Sequence, residues 1–156
     1  MLADVPLAPA YPASDPAPPQ IVPAPVPIQI LTGKKVFISN GVSTAVTDVP
    51  NLPYNEFYGY MKAWGRYELA STPADADLVF ELRFVNDPPG YLELRLAIRD
   101  PQTHTVLWSF IDSVGGASRE AARRKNFDQA MAKLVQEVKV LTAPPAATPV
   151  VPGANQ

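Results

Sequence analysis

Between residues 78 and 98 the chain alternates twice. Leu78, Phe80, Leu82 and Phe84 interleave with Val79, Glu81, Arg83 and Val85; Leu92, Leu94, Leu96 and Ile98 interleave with Glu93, Arg95, Ala97 and Arg99. Successive strand residues point to opposite faces, so a period of two predicts a half-buried strand. Two such runs joined by NDPPG (86–90) predict an antiparallel hairpin. A chain carrying this pair has one apolar floor, which other elements must cover. Val85 opposite Tyr91 brings Arg83 opposite Glu93 and Glu81 opposite Arg95, each pair contributing about 0.2–1 kcal/mol. A slip of one residue would lose both pairs and expose the leucines.

The next turn, DPQTH, leads into TVLWSFIDSV. A loop of four residues, Pro101 to His104, places Leu107, Ser109 and Ile111 on the leucine face and Val106, Trp108 and Phe110 on the other. A loop one residue shorter or longer, or a bulge, reverses this. Large aromatics most often fill interiors, which favours Trp108 as core; an exposed aromatic strip would instead mark an interface.

Upstream, KKVFISN (34–40) is a short β-branched and aromatic run between glycines, predicting a first strand. Tyr54, Phe57, Tyr58, Met61 and Trp64 recur at helical spacing, with Asn51 or Asn55 as candidate cap, Gly65 as a natural stop and Gly59 on the opposite face. RYELAS is a candidate short strand before Pro73. Downstream, Phe127, Ala130, Met131, Leu134, Val135, Val138 and Leu141 form one helical stripe. Extended backwards, that stripe meets Arg123 and Glu120, so the helix either starts near Arg124 or carries first turns that overhang the sheet.

The order predicts an α+β fold: a mixed, mainly antiparallel sheet, β-α-(β)-β-β-β-α, with two helices packed on one face. Most of the 19 prolines of this 156-residue chain fall outside that unit. Proline fixes φ and donates no backbone hydrogen bond, so residues 1–31 and 142–156 read as disordered Pro/Ala-rich tails around a globular domain at 32–141.

Reactive chemistry is sparse. Cysteine is absent, which removes disulfides, thiolate catalysis, cysteine zinc sites and a lipidated N-terminal cysteine on this chain. His104 is the single histidine and lies in a turn that wants a left-handed residue, so it serves neither a triad nor a metal site. GVSTA around Ser43 departs from a nucleophile elbow in its last position, and LTGKK precedes its strand where a P-loop would follow one. Asp75 and Asp77 fit a turn, and Glu81 and Glu93 fit the arginines opposite. The net charge of −2 argues against a polyanion binder. Arg119, Arg123, Arg124 and Lys125 form the one concentrated charge cluster, either a solvated helix start or a site for an anionic partner. With no aromatic close by to stack on bases, nucleic acid is disfavoured.

KVFISN, NEFYGYMKAWGRYELASTPADADLVFEL, LAIRDPQTHTVLWS and NFDQAMAKLVQEVKVL together resemble small bacterial domains, often exported. More distantly they are similar to the domain shared by the TolB N-terminal region, the curli-secretion protein CsgG and penicillin-binding-protein activators such as LpoB. There A-D-x-V leads into a meander with D-x-x-T-x-x-x-x-W, here Ala76, Asp77 and Val79, then Asp100, Thr103 and Trp108. The resemblance implies the fold and an envelope compartment more than an activity.

The expectation is therefore a non-enzymatic accessory domain of the bacterial envelope that binds a protein or glycan partner, with no catalytic residue, metal or cofactor. The candidate partner-binding residues are Arg119, Arg123, Arg124, Lys125 and Trp108. No apolar run is long enough to span a bilayer. MLADVPLAPAYPA lacks a basic n-region and an apolar h-region, although APA resembles a signal-peptidase site. The periplasm or envelope is expected if a signal lies upstream, the cytoplasm otherwise. The alternatives are a cytosolic module binding an anionic ligand through the basic cluster and, third, a hydrolase using Ser43.

Overall fold

The computed structural model describes residues 3–10, 15–41 and 51–144; Ser43 lies outside them. Five strands form one mixed sheet: β1 (Lys35–Asn40), β2 (Glu68–Leu69), β3 (Leu78–Asn86), β4 (Leu92–Arg99) and β5 (Val106–Val114), in the order β2-β1-β3-β4-β5. β1 runs parallel to β2 and β3, while β3, β4 and β5 form an antiparallel meander. Leu78, Phe80, Leu82, Phe84, Leu94, Leu96 and Ile98 are all buried, and Leu92 is partly so. The alternation does make a single apolar floor, to which β1 adds Val36 and Ile38.

Two long helices cover that floor, and among the described residues no long helix lies on the other face of the sheet. After a five-residue helix α1 (Ile28–Thr32) come α2 (Leu52–Trp64) and α3 (Glu120–Leu141). Phe57 and Met61 of α2 are fully buried, and the Phe57 ring lies 6.5 Å from that of Phe80. From α3, Phe127, Ala130, Met131, Leu134, Val135 and Val138 are buried, with Phe127 edge-on to Phe84 at 5.4 Å. Gly65 ends α2 in the left-handed region at φ 69°, its N–H bonding the Met61 carbonyl. Asn51 occupies the N-cap position, but its side chain accepts from Asn40 Nδ2 at 2.9 Å instead of capping the helix. His104 has φ 58°, as its turn requires.

Three expectations change, and one alternative is decided. First, the charge-matched hairpin register is off by two residues: Val85 pairs with Glu93, Arg83 with Arg95 and Glu81 with Ala97. Asn86 and Leu92 close the turn, and Asn86 Oδ1 accepts the Gly90 N–H at 2.8 Å. Turn closure therefore outweighs the small gain from facing charges. The ion pairs run along each strand instead, Arg83 to Glu81 and Arg95 to Glu93, both at 2.7 Å. A two-residue shift conserves parity, which is why the floor survives it.

Second, β5 is reversed relative to a plain four-residue loop. The register breaks between Ile98 and Arg99, whose partners are Trp108 and Val106, so Leu107 is the extra residue of a bulge. Trp108, Phe110, Asp112 and Val114 thereby stand opposite the floor residues of β4, while Ile111 is 62% exposed. Of the two alternatives for the last helix, the overhanging first turn is the one found: α3 begins at Glu120, its mostly exposed first turn lying beyond the buried stripe. Third, Ile28 to Leu31, read as tail, belong to α1, and Ile30 is fully buried with its carbonyl accepting the Tyr67 hydroxyl at 3.2 Å.

Candidate functional site

A cleft of about 360 Å³ opens at the end of the sheet where β1 and β3 begin and β4 ends. Its polar lining comes from Gln29, Lys34, Asp77, Asp100 and Gln102. Chain reversals place each of these. Asp77 follows the 3-10 turn Pro73–Asp75, and its Oδ2 accepts the backbone N–H groups of Lys34 at 2.8 Å and Lys35 at 2.9 Å. Asp100 opens the β4–β5 turn: its Oδ1 accepts the N–H groups of Gln102 at 2.7 Å and Thr103 at 3.1 Å, and its Oδ2 accepts Gln29 Nε2 at 2.7 Å.

These bonds favour the charged form of each carboxyl. The Lys34 and Lys35 N–H groups hold Asp77 below its ordinary range, and the Thr103 N–H, then the Gln29 amide and Gln102 N–H, do the same for Asp100. Asp77 and Asp100, from the two separate motifs that carried the family resemblance, thus meet at one site. Both stay ionised at neutral pH and orient backbone. The cleft is a set of fixed acceptors and donors beside an ammonium group, suited to holding a polar ligand.

The basic cluster lies at the opposite end of the sheet, past the end of β5, and its members do different things. Arg123 donates to the carbonyls of Ser118 at 3.0 Å and Ala117 at 3.4 Å. Arg124 ties α3 to α2 through Glu56 and also bridges Asp128 at 2.9 Å. Among the described residues neither Arg119 nor Lys125, both exposed, makes an ion pair. Trp108 is half-buried against the core and pairs with Ile98 near the cleft end of β5. Trp108 and the basic cluster therefore do not form one site. Glu81 is ion-paired with Arg83 and Arg99, and Asp75 accepts the Thr72 hydroxyl at 2.7 Å.

Neither a protein-family model nor a curated protein sequence matches the chain. Among solved structures, a Xanthomonas campestris protein of the DUF330 family is 12% identical, aligning over 77% of this chain and 89% of its own with a TM-score of 0.51. The two chains share a fold. Also similar are PelC from Paraburkholderia phytofirmans, a dodecamer, at 16% identity over 67% of this chain and 86% of its own with a TM-score of 0.45, and lipoprotein B from Nitrosomonas europaea at 12% identity over 79% and 89% with a TM-score of 0.39.

One charged group escaped the reading of the sequence. Asp112 is only 2% exposed on the helix-covered face of β5, where Lys133 of α3 is ion-paired to its Oδ1 and Oδ2 has no hydrogen-bond partner among the described residues. Glu137, one turn along, bonds Lys133 at 3.4 Å. Burial, then the facing Asp112 carboxylate, pushes the Glu137 carboxyl above its ordinary range. The sequence signal was an acid within an apolar run facing a Lys-x-x-x-Glu helix stripe. It is legible only once the bulge has set the parity of β5.

Proposed function

We propose that this chain is a non-enzymatic accessory domain of the bacterial cell envelope that holds a protein or glycan partner, with the Pro/Ala-rich residues 1–25 and 143–156 acting as spacers on either side of the packed unit. The observation carrying this reading is the use made of Asp77 and Asp100. Each is bound to backbone N–H groups in a way that keeps it charged and immobile. A general acid or base must exchange protons near the working pH, and these carboxyls are held away from it. What they offer instead is a preorganised polar cleft at an end of the sheet, where hydroxyl or amide groups of a partner find fixed complements. Composition adds to this, since proline-rich flanks space a domain from its attachment.

The second reading, an anion-binding module, keeps support only from the exposed Arg119 and Lys125, because Arg123 and Arg124 are engaged within the fold. Photo-crosslinkers placed at Gln102 or Lys34, and separately at Arg119 or Lys125, test the two readings in cells of the native host. Envelope-fraction crosslinks to a protein or glycan from Gln102 and Lys34 are expected. Cytosolic recovery with crosslinks confined to Arg119 and Lys125 would replace the first reading by the second.

A further inference from the structure

The sheet has two edges of unequal character. At one end β2 is two residues long, whereas at the other β5 runs for nine with no strand beyond it among the described residues. An open edge of that length is a template for pairing with another strand unless proline, lysine, a bulge or a covering element blunts it. β5 contains neither proline nor lysine nor arginine, its single acid is turned inward to Lys133, and its bulge lies at Leu107. The segment Ser109 to Ser113 is left regular and uncharged on its outward side.

Which backbone groups face outward follows from two hydrogen bonds. The Asp100 N–H donates to the Thr105 carbonyl at 3.0 Å, and so points toward β5. Along a strand the N–H and C=O of a residue share a direction that alternates from residue to residue, so Ile98, Leu96 and Leu94 point toward β5 as well. The Gly41 N–H bonding the Leu82 carbonyl at 2.8 Å gives the same answer from the other side: Leu82 faces β1, hence Arg83 and its partner Arg95 face each other, and Leu94 and Leu96 face β5. Their partners Asp112 and Phe110 face back. Ser109, Ile111 and Ser113 therefore present their N–H and C=O groups to the open edge.

We propose that this edge pairs with the same edge of a second copy, antiparallel about a two-fold axis through Ile111, making one continuous ten-stranded sheet. The occupant follows from self-complementarity. In that register Ile111 meets Ile111 of the second copy, and Ser109 meets Ser113 in both directions, so every outward group from 109 to 113 finds a partner. The 62%-exposed Ile111 is covered at the centre. Only serines flank it on that face, so no like charges oppose one another, which is the usual penalty for self-pairing. A ladder of five residues is short for a permanent interface, so the dimer is reversible and concentration-dependent. This inference is independent of the cleft.

The chain contains no cysteine, so single replacements report on the register directly. Directly opposed residues of a bonded antiparallel pair lie about 5.5 Å apart at Cα, within disulfide reach. The two copies of residue 109 lie four positions apart along the strand, roughly 13 Å. In the full chain, Ile111→Cys is expected to give a covalent dimer under mild oxidation and Ser109→Cys is not, while sedimentation equilibrium of the parent chain shows a monomer–dimer equilibrium. Ile111→Lys, at an exposed position that leaves the circular dichroism and melting temperature unchanged, is expected to abolish the dimer. A parent chain monomeric at every concentration, equal crosslinking at 109 and 111, or a dimer surviving Ile111→Lys would each overturn the proposal.

Discussion

Lys133 on α3 is ion-paired with the buried carboxylate of Asp112 on β5. The two ends differ sharply in environment, the lysine side chain being 65% exposed and the aspartate 1%. A charge in the core needs its partner more than a charge at the surface does. Lys133→Ala is therefore expected to lower stability, because it leaves a buried carboxylate unpaired. Adding Asp112→Val should recover most of that loss, because the apolar replacement leaves nothing to satisfy. Urea denaturation of the two variants checks both, and a single variant as stable as the parent would mean that the pair contributes nothing.

Glu137 and Asp77 should respond to pH with opposite signs. Glu137 is raised above its ordinary 4.5, so folding favours its protonated form. Its contribution is complete below that value and lost as pH rises through the raised one. Glu137→Gln should flatten this part of a plot of unfolding midpoint against pH.

Asp77 is lowered from 3.8, so folding favours its carboxylate. Its contribution is present above that pH and lost as the solution is acidified through the lowered value. Asp77→Asn should remove this acid-side dependence, and NMR titration of the Lys34 and Lys35 amide signals should report the same transition.

Two glycines should behave oppositely on replacement by alanine. At Gly59 an added Cβ meets nothing within 4 Å, so Gly59→Ala should stabilise α2 by about 0.5–1 kcal/mol through the lower backbone entropy of the unfolded chain. At Gly33 the same atom would lie 2.9 Å from the Gln29 carbonyl oxygen and 3.0 Å from Leu78 Cδ1. Its φ of −57° suits any residue, so the constraint is close packing. Gly33→Ala should cost about 1–3 kcal/mol. Thermal melts of both variants provide the comparison.

The floor itself is tested at Leu96, which is 1% exposed in the central strand of the meander. Leu96→Ala should cost about 2–5 kcal/mol, from lost transfer energy plus the cavity left behind. Chemical denaturation measures this, and a loss below 1 kcal/mol would contradict the burial of the alternating face.

Much of the architecture was legible because it rests on periodicity. Leu78 to Phe84 and Leu92 to Ile98 declare one face by a period of two, and Phe57, Met61 and the Phe127 to Val138 stripe declare helical faces by a period near 3.6. Such patterns survive small errors in pairing: a hairpin register wrong by two residues still buries the same leucines. The cleft was legible only in pieces. Asp77 and Asp100 were singled out through motif resemblance and turn chemistry, but their meeting at one end of the sheet depends on β1 and β4 flanking β3, a contact between segments far apart in sequence.

By itself, then, the sequence determined which side chains are apolar, how they repeat, where backbone turns and which residues tolerate a left-handed φ, since each is local chemistry or local sterics. Tertiary structure alone decided the parity of β5, the burial of Asp112 against Lys133 and the division of labour within the basic cluster. One extra residue at Leu107 turns every later side chain of β5 to the other face, and that residue is accommodated by pairing with β4, not by any preference of the segment itself. Arg124 likewise binds Glu56 because two helices share a floor, and a charge separated by 68 positions along the chain leaves no trace in local pattern.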